Sequence, residues 1–275
     1  MAYKRILTIQ DISCLGQCSM TVALPVLSAC GHETCILPSK LLSTHTGGFG
    51  TPVVLDLSDG MANIWRHWQS RGITFDAVYT GYLGSVAAVR CAEEILDALL
   101  APGGVFIADP AMADHGKLYA GLGEDYAQAM IQLCRRADVV LPNLTEAAMM
   151  SGLPYREDAD GAYVAALLDR LGEKNIVLTG VGDGPEETGI AVRSEAGVTR
   201  YSHRRIQKSY HGTGDLFAAC FTGAWQRGMT LEAAASVAAE FTCRCVEKTW
   251  QAPGHWYGVR FEAVLPELIR MLEDR

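Results

Sequence analysis

The sequence predicts a three-layer α/β/α sandwich with a mostly parallel central sheet, formed as a single domain by residues 1–275. Short apolar runs alternate with longer helical patterns, which is typical of right-handed βαβ crossovers. The strand-like runs are apolar at successive positions, as expected for strands buried on both faces. No linker, repeat or low-complexity segment divides the chain.

The first half of the chain contains four predicted strands and three predicted helices in alternation. The predicted strands are residues 5–10, 34–37, 76–80 and 105–108. The predicted helices are 20–30, 61–70 and 86–100, and Pro25 is tolerated within the first of them with a kink. We expect the first strand to end at Asp11, and a polar, glycine-rich loop to follow the second strand through Gly60.

The second half continues the alternation. The predicted helices are 125–136, one that begins at Thr145, 159–171, 215–227, 231–249 and a last one from Phe261. The predicted strands are 139–141 and 176–178, with a hairpin of 189–192 and 199–201. Thr145 is expected to cap its helix, with Glu146 one residue inside it.

The composition excludes several classes of protein. The 275 residues carry a net charge of −8, and 49% of them are apolar, which argues against disorder. An acidic chain with a pI near 5.4 is a poor candidate for binding nucleic acid. The chain lacks an apolar run long enough to span a membrane, and its nine scattered cysteines form no Cys-x-x-Cys pair. We therefore predict a cytoplasmic protein with reduced cysteines and no nucleic-acid or membrane partner.

Candidate functional residues follow the predicted strands, because ligands of such sheets bind beyond the carboxyl ends of the strands. Each could simply form a turn. Together they predict a site, and they are Asp11, the loop 43–48, Gly81 and Tyr82, Asp109, the segment 143–146, Thr179 and the segment 212–215.

The sharpest motif is Gly212-Thr213-Gly214-Asp215, which opens an apolar helix. Glycines at a helix N-terminus let backbone amides approach an anion, which the helix dipole also favours. A carboxylate there would repel a phosphate but could act as a general base on an attacking hydroxyl. The alternative is a plain aspartate in the first helical turn.

A divalent ion would complete phosphoryl transfer, and Mg²⁺ is commonly held by one or two carboxylates and waters. Asp109 and Glu146 are candidates for this role, directly or through water, and Asn143 could donate hydrogen bonds nearby. The loop 111–123 is long enough to close over a nucleotide, or it is a plain surface loop.

These motifs resemble those of the pyridoxal/pyridoxamine kinases of the ribokinase-like superfamily. The similar segments lie in order along nearly the whole chain: Ile-Gln at 9–10, Ser-Thr-His-Thr-Gly at 43–47, Thr-Gly-Tyr-Leu-Gly-Ser at 80–85, Ala-Asp-Pro at 108–110, Leu-Pro-Asn-Leu-Thr-Glu at 141–146, and Gly-Thr-Gly-Asp-Leu-Phe-Ala-Ala at 212–219.

The resemblance implies ATP-dependent phosphorylation of the 5′-hydroxymethyl group of a vitamin B6 vitamer, pyridoxamine or pyridoxal, in the salvage of pyridoxal phosphate. It implies Mg²⁺, a monovalent cation such as K⁺ as an option, and a homodimer. The implied roles are a base (Asp215), an anion hole (Gly212, Thr213, Gly214), a Mg-ATP site (Asp109, Leu141, Asn143, Glu146, Thr179) and a pyridine pocket (Thr46, Gly47, Tyr82). We place His45 in this pocket too, and expect the other histidines at the surface.

The chain departs from the resemblance at Asp11, where such kinases commonly carry serine. A carboxylate there could pair with the ring nitrogen or with the ammonium of pyridoxamine, which pyridoxal lacks, or it could merely cap a turn. The Asp-x-Ser sequence at 11–13 also resembles hydroxymethylpyrimidine kinases of thiamin synthesis. Those kinases, however, often carry cysteine at the position of Asp215 and a glycine-rich stretch after the motif, where this chain has Cys-Leu-Gly-Gln-Cys at 14–18.

Two further interpretations stay open. The same fold could bind a vitamer or nucleotide as a sensor without turnover, although a carboxylate beside a phosphate brings a pure binder no benefit. The basic segment 200–208, which holds Arg205 and Lys208, is predicted to be a solvated strand edge or a nucleotide-facing loop.

Overall fold

The computed structural model describes residues 3–172, 174–182, 184, 186–206, 208–252 and 254–273. The strands of this part of the chain are β1 (Arg5–Ser13), β2 (Glu33–Leu42), β3 (Val54–Asp56), β4 (Phe75–Thr80), β5 (Leu100–Ala108), β6 (Ala113–Asp114), β7 (Lys117–Leu118), β8 (Val139–Val140), β9 (Asn175–Val181), β10 (Glu187–Ser194) and β11 (Gly197–Arg204). The helices are α1 (Met20–Ala29), α2 (Ser58–Ser70), α3 (Val86–Leu99), α4 (Glu124–Cys134), α5 (Leu144–Ser151), α6 (Gly161–Leu171), α7 (Thr213–Gln226), α8 (Leu231–Trp250) and α9 (Leu265–Glu273).

Within the described residues, nine strands form one sheet in the order β11-β10-β9-β8-β5-β4-β1-β2-β3. The six strands from β9 to β2 run parallel, and antiparallel β3 and the β10–β11 hairpin lie at the two edges. The chain leaves β1 towards β2 on one side and returns to β4 on the other. This reversal opens a crevice beyond the carboxyl ends of β1 and β4, the usual place for a ligand in such sheets.

Helices cover both faces of the sheet because successive strand residues point to opposite sides. Ile6 joins the core beneath α1, α7 and α8, whereas its neighbour Leu7 joins the core beneath α2, α3 and α4. The same alternation separates Ile107 from Phe106, and a third cluster packs α5 and α6 against β9 and β10. The predicted three-layer α/β/α sandwich with a mostly parallel sheet is therefore confirmed.

The predicted loop from residue 38 to Gly60 is wrong in part. β2 continues to Leu42, because it pairs with β1 on one side and with β3 on the other, so its backbone stays bonded beyond the apolar run. The α2 helix begins at Ser58, ahead of the prediction. The loop 111–123 likewise contains the short β6–β7 hairpin.

The C-terminal helix starts later than the sequence suggests. Phe261 and Val264 form a turn in which the Val264 amide donates to the Phe261 carbonyl, 2.9 Å away, and α9 begins at Leu265. All nine cysteines are free thiols, as predicted. None of the helices in the described ranges is long and apolar enough to cross a bilayer.

Candidate active site

A cavity of about 660 Å³ lies beyond the carboxyl ends of the parallel strands, within the size range of small-molecule sites. The sequence-predicted residues that line it are Asp11, His45, Thr46, Tyr82, Asp109, Leu141, Asn143, Glu146, Thr179, Gly212, Thr213, Gly214 and Asp215. Gly47 does not line the cavity but contacts the cavity-lining His211. The other candidates that do not line it are Ser43, Thr44, Gly48, Gly81, Leu144 and Thr145. The fold thus brings together side chains that lie up to 204 residues apart in sequence, from Asp11 to Asp215.

One wall of the cavity is the N-terminus of α7. Gly212 precedes the helix with φ 80°, and a Cβ atom on it would lie 2.3 Å from the Gln17 carbonyl oxygen, so only glycine fits. A Cβ on Gly214, by contrast, would meet no atom within 4 Å, because this residue faces the open cavity. The first-turn amides of a helix lack partners within the helix, so this turn can bind an anion.

Asp215 is the acidic residue of this first turn. Burial raises its pKa from 3.8 to about 6, and the nearby charge of Asp11 adds to the rise. The Ser19 backbone amide donates to the carboxylate and opposes the shift. Ser19 itself has φ 48°, an unfavourable value for serine. A carboxylate whose pKa approaches neutrality suits a general base.

Two more acidic side chains, Asp109 and Glu146, line the cavity. Asp109 is 8% exposed and Glu146 is 2% exposed. Burial raises the pKa of both, and the charges of Glu146 and Asp215 raise that of Asp109 further. Across the described ranges, no cluster of three histidine, cysteine or acidic side chains is arranged as a metal site. The carboxylates of Asp109 and Glu146 repel each other, and a divalent cation would neutralise their charge.

The expected cap of α5 at Thr145 is wrong, because Asn143 is the N-cap. The Asn143 side chain accepts from the Glu146 amide and the Glu146 carboxylate accepts from the Asn143 amide, each at 3.0 Å, which forms a capping box. Glu146 is the third helical residue. Thr145 instead accepts a hydrogen bond from the Gly116 amide at 3.0 Å.

The same capping residues hold the β6–β7 hairpin. Glu146 Oε1 accepts from the Met112 amide at 2.9 Å, and Asn143 Nδ2 donates to the Ala113 carbonyl at 2.8 Å. Both carboxylate oxygens of Glu146 thus accept hydrogen bonds from backbone amides, one from the residue before β6 and one from the N-cap of its own helix. Tyr119, which follows the hairpin, lines the cavity with its ring 6.5 Å from that of Tyr82. Tyr119 was not predicted as a site residue from the sequence. An aromatic residue within the loop 111–123, which was predicted as a possible cover of the site, could have indicated it.

Asp11 lies inside β1, and the prediction that the strand ends there is wrong. The register with β2 shifts between Gln10 and Ile12, where the single residue Asp11 stands opposite two residues of β2, Ser39 and Lys40. The Ser13 hydroxyl donates to its carboxylate at 3.2 Å. Burial raises the pKa of Asp11, and hydrogen bonds from the side chains of Ser19 and Ser13 partly offset this rise. A carboxylate only 3% exposed in a cavity wall is available to a cationic ligand group.

His45 lines the cavity, but the expectation that it is the one histidine there is wrong. His115, His203 and His211 line the cavity too, because the β6–β7 hairpin, the end of β11 and the connection from β11 to α7 all border it. Arg205 and Lys208 belong to that connection and also line the cavity. Whether this basic segment faces a nucleotide stays a prediction, and Gln207 lies outside the described residues.

Comparisons with known proteins show the family of the chain. The phosphomethylpyrimidine kinase family matches residues 67–259. The crystal structure of pyridoxal kinase from Lactobacillus plantarum superimposes with a TM-score of 0.89 and 35% sequence identity, covering 100% of this chain and 99% of that chain. The chain belongs to the pyridoxal kinases of the ribokinase-like superfamily.

Two other pyridoxal kinases extend the comparison. That of Arabidopsis thaliana is 28% identical over 240 residues, which cover 80% of this chain and 73% of the plant protein. The structure of the Leishmania donovani enzyme in complex with ADP and pyridoxamine has the same fold, with a TM-score of 0.81 at 24% identity, over 96% of this chain and 95% of that chain.

Proposed function

We propose that this pyridoxal kinase family member transfers the γ-phosphoryl group of Mg-ATP to the 5′-hydroxymethyl group of a vitamin B6 vitamer. The observation that carries the proposal is the position of Asp215, a carboxylate with a pKa raised to about 6 beside the glycine-rich N-terminus of α7. Asp215 would take the proton of the attacking hydroxyl. The amides of residues 212–214 would stabilise the charge on the transferred phosphoryl oxygens.

The nucleotide half of the cavity has a donor set that suits a magnesium complex. Mg²⁺ bound with ATP would neutralise charge on the phosphate oxygens, and Asp109 and Glu146 are the residues that would hold it. Asp109 would contact the metal directly. Glu146 would act through water, because its oxygens already accept hydrogen bonds from backbone amides. Leu141, Asn143 and Thr179 would border the nucleotide. A requirement for a monovalent cation such as K⁺ stays a prediction.

The vitamer half is proposed to consist of His45, Thr46, Gly47, Tyr82 and Asp11. Asp11 would pair with the ring nitrogen or with the 4-aminomethyl group, so we expect a preference for pyridoxamine over pyridoxal. The test is the ratio of kcat/KM for these two vitamers in Asp11→Ser. A reduced preference for pyridoxamine supports the pairing with the ammonium, and an unchanged ratio contradicts it.

The experiment that tests the proposed function measures ADP release from Mg-ATP with pyridoxamine, pyridoxal, pyridoxine and hydroxymethylpyrimidine. Turnover of the B6 vitamers that is lost in Asp215→Ala supports both the kinase activity and the base. Turnover of hydroxymethylpyrimidine alone would instead assign the chain to thiamin synthesis. Tight vitamer binding without turnover would favour a sensor.

We also propose a homodimer in the cytoplasm, as the resemblance implies. The edge strand β3 supports an association of copies, because Val54 and Leu55 are 47% and 54% exposed there. Sedimentation equilibrium tests it: a mass of twice 29.7 kDa is expected, and a monomer at micromolar concentration contradicts it.

A further inference from the structure

Two consecutive glycines in the loop 45–48 each lie against an aromatic ring from a distant part of the chain. A Cβ atom on Gly47 would lie 2.3 Å from Nε2 of His211, and one on Gly48 would lie 2.5 Å from the ring of Trp256. The φ of Gly47 lies outside the left-handed range, so its backbone does not require glycine. The three atoms nearest to such a Cβ all belong to the His211 ring, so a side chain at position 47 would displace that ring.

The position of Gly47 is fixed from its other side by His45. The Gly47 amide donates to His45 Nδ1 at 2.9 Å, so the ring is neutral and carries its proton on Nε2. The His45 amide donates to the Leu15 carbonyl at 2.8 Å, and a Cβ on Gly16 would lie 2.5 Å from the His45 Cβ. His45 therefore has little freedom to move.

The two imidazole rings contact each other, with their centroids 4.5 Å apart and their planes inclined by 42°. Gly47 is thus held by a hydrogen bond to one ring and by the edge of the other. His45 and His211 lie 166 residues apart in sequence, so this contact is a tertiary one.

His211 directly precedes the glycine-rich turn at the N-terminus of α7. Its neighbour Gly212 is packed against the Gln17 carbonyl, and Asp215 follows within the same turn. His211 therefore moves with the proposed base and anion hole, while Gly47 adjoins Thr46, which lines the proposed vitamer pocket.

We propose that His211 is a positioning residue that sets the vitamer loop at a fixed distance from the phosphoryl-transfer machinery. The inference rests on the proposed function, because it assigns the loop 45–48 to the vitamer. A reacting hydroxyl must lie within near-contact distance of the base and the phosphorus, and a displacement of about 1 Å is costly. The contact of His211 with Gly47 and His45 supplies that constraint through the loop.

The test compares His211→Ala, His211→Phe, Gly47→Ala and the double variant Gly47→Ala/His211→Ala. His211→Ala is expected to raise the KM for the vitamer by about 3- to 10-fold, the effect of losing one aromatic contact, and to lower kcat because the hydroxyl is displaced from the base. The KM for ATP should stay within about 2-fold. His211→Phe keeps a ring over Gly47 and should retain most of the affinity. His67→Ala, at the exposed surface of α2, is the control that leaves both constants unchanged.

The double variant decides whether the two residues act through one contact. Gly47→Ala displaces the His211 ring, so the double variant should be no worse than Gly47→Ala alone. A multiplicative loss in the double variant overturns the proposal, as does an equal rise in both KM values or a His211→Ala enzyme with wild-type constants. If Gly47→Ala does not fold, the comparison of alanine with phenylalanine at position 211 decides alone.

This experiment separates the positioning role from the proposed function. Turnover of vitamers by the unsubstituted chain tests the function, and the differences among variants test His211. Calorimetric titration of each variant with pyridoxal adds a binding readout that is independent of turnover, and it should show the same 3- to 10-fold weakening, roughly, for His211→Ala.

Discussion

Replacing Asp215 with asparagine should remove activity and at the same time stabilise the fold. The folded state holds this carboxyl at a pKa of about 6 against 3.8 for a free one, so its ionised form is disfavoured by the fold. Each unit of pKa difference between the folded and the unfolded chain corresponds to 1.36 kcal/mol, so the ionised carboxyl lowers the free energy of unfolding by about 3 kcal/mol at pH 8. Solvent at the open side of the cavity reduces this cost, so the expected gain is about 1–3 kcal/mol.

The sign of the pH dependence follows from the raised pKa. Above pH 6 Asp215 is ionised in both the folded and the unfolded chain, and the folded chain bears the full free-energy cost of the buried charge. Below pH 3.8 both are protonated and the cost vanishes. At pH 5 about half of the stabilisation should remain.

Thermal unfolding of the wild type and of Asp215→Asn at pH 8 and pH 5 measures this effect. For a chain of 275 residues, 1–3 kcal/mol corresponds to a rise in Tm of about 2–5 °C at pH 8, and to about half of that at pH 5. Asp158→Asn, whose side chain is 87% exposed, is the control and should shift Tm little at either pH. A lower Tm for Asp215→Asn at pH 8, or a gain independent of pH, would refute the reasoning.

The remaining predictions concern the same turn and one helix contact. Since Asp215 must be ionised to act as a base and its pKa is raised to about 6, kcat/KM for the vitamer should fall about tenfold per pH unit below pH 6, and a flat profile down to pH 5 would contradict its role. Gly214→Ala projects a methyl group into open space, so we expect kcat/KM for ATP to drop about 10- to 100-fold while Tm holds or rises; unimpaired ATP use would exclude this turn from the phosphate site. Gly223→Ala places a methyl group 2.4 Å from the Cys30 sulfur between α1 and α7, so urea unfolding should show a loss of about 1–3 kcal/mol, whereas Gly60→Ala, which meets no atom within 4 Å, should show none.

The amino-acid sequence by itself determined the layer order and most of the candidate site. Alternating apolar runs and helical periods reflect local burial, so they predicted a buried parallel sheet before any contact was known. Because ligand-binding residues of such sheets follow the strands, Asp109 and the motif 212–215 could be placed at one edge from their positions alone. Each of these inferences needed only neighbouring residues in the chain.

The tertiary structure decided the features that depend on contacts between distant segments. The register shift opposite Asp11 arises from pairing with β2, and the role of Glu146 as an acceptor for the segment that enters the β6–β7 hairpin arises from packing of that hairpin on α5. The contact of His211 with Gly47 joins residues 164 positions apart. No local pattern encodes such distances, because register, bulges and loop packing are set by the whole fold rather than by the residues on either side.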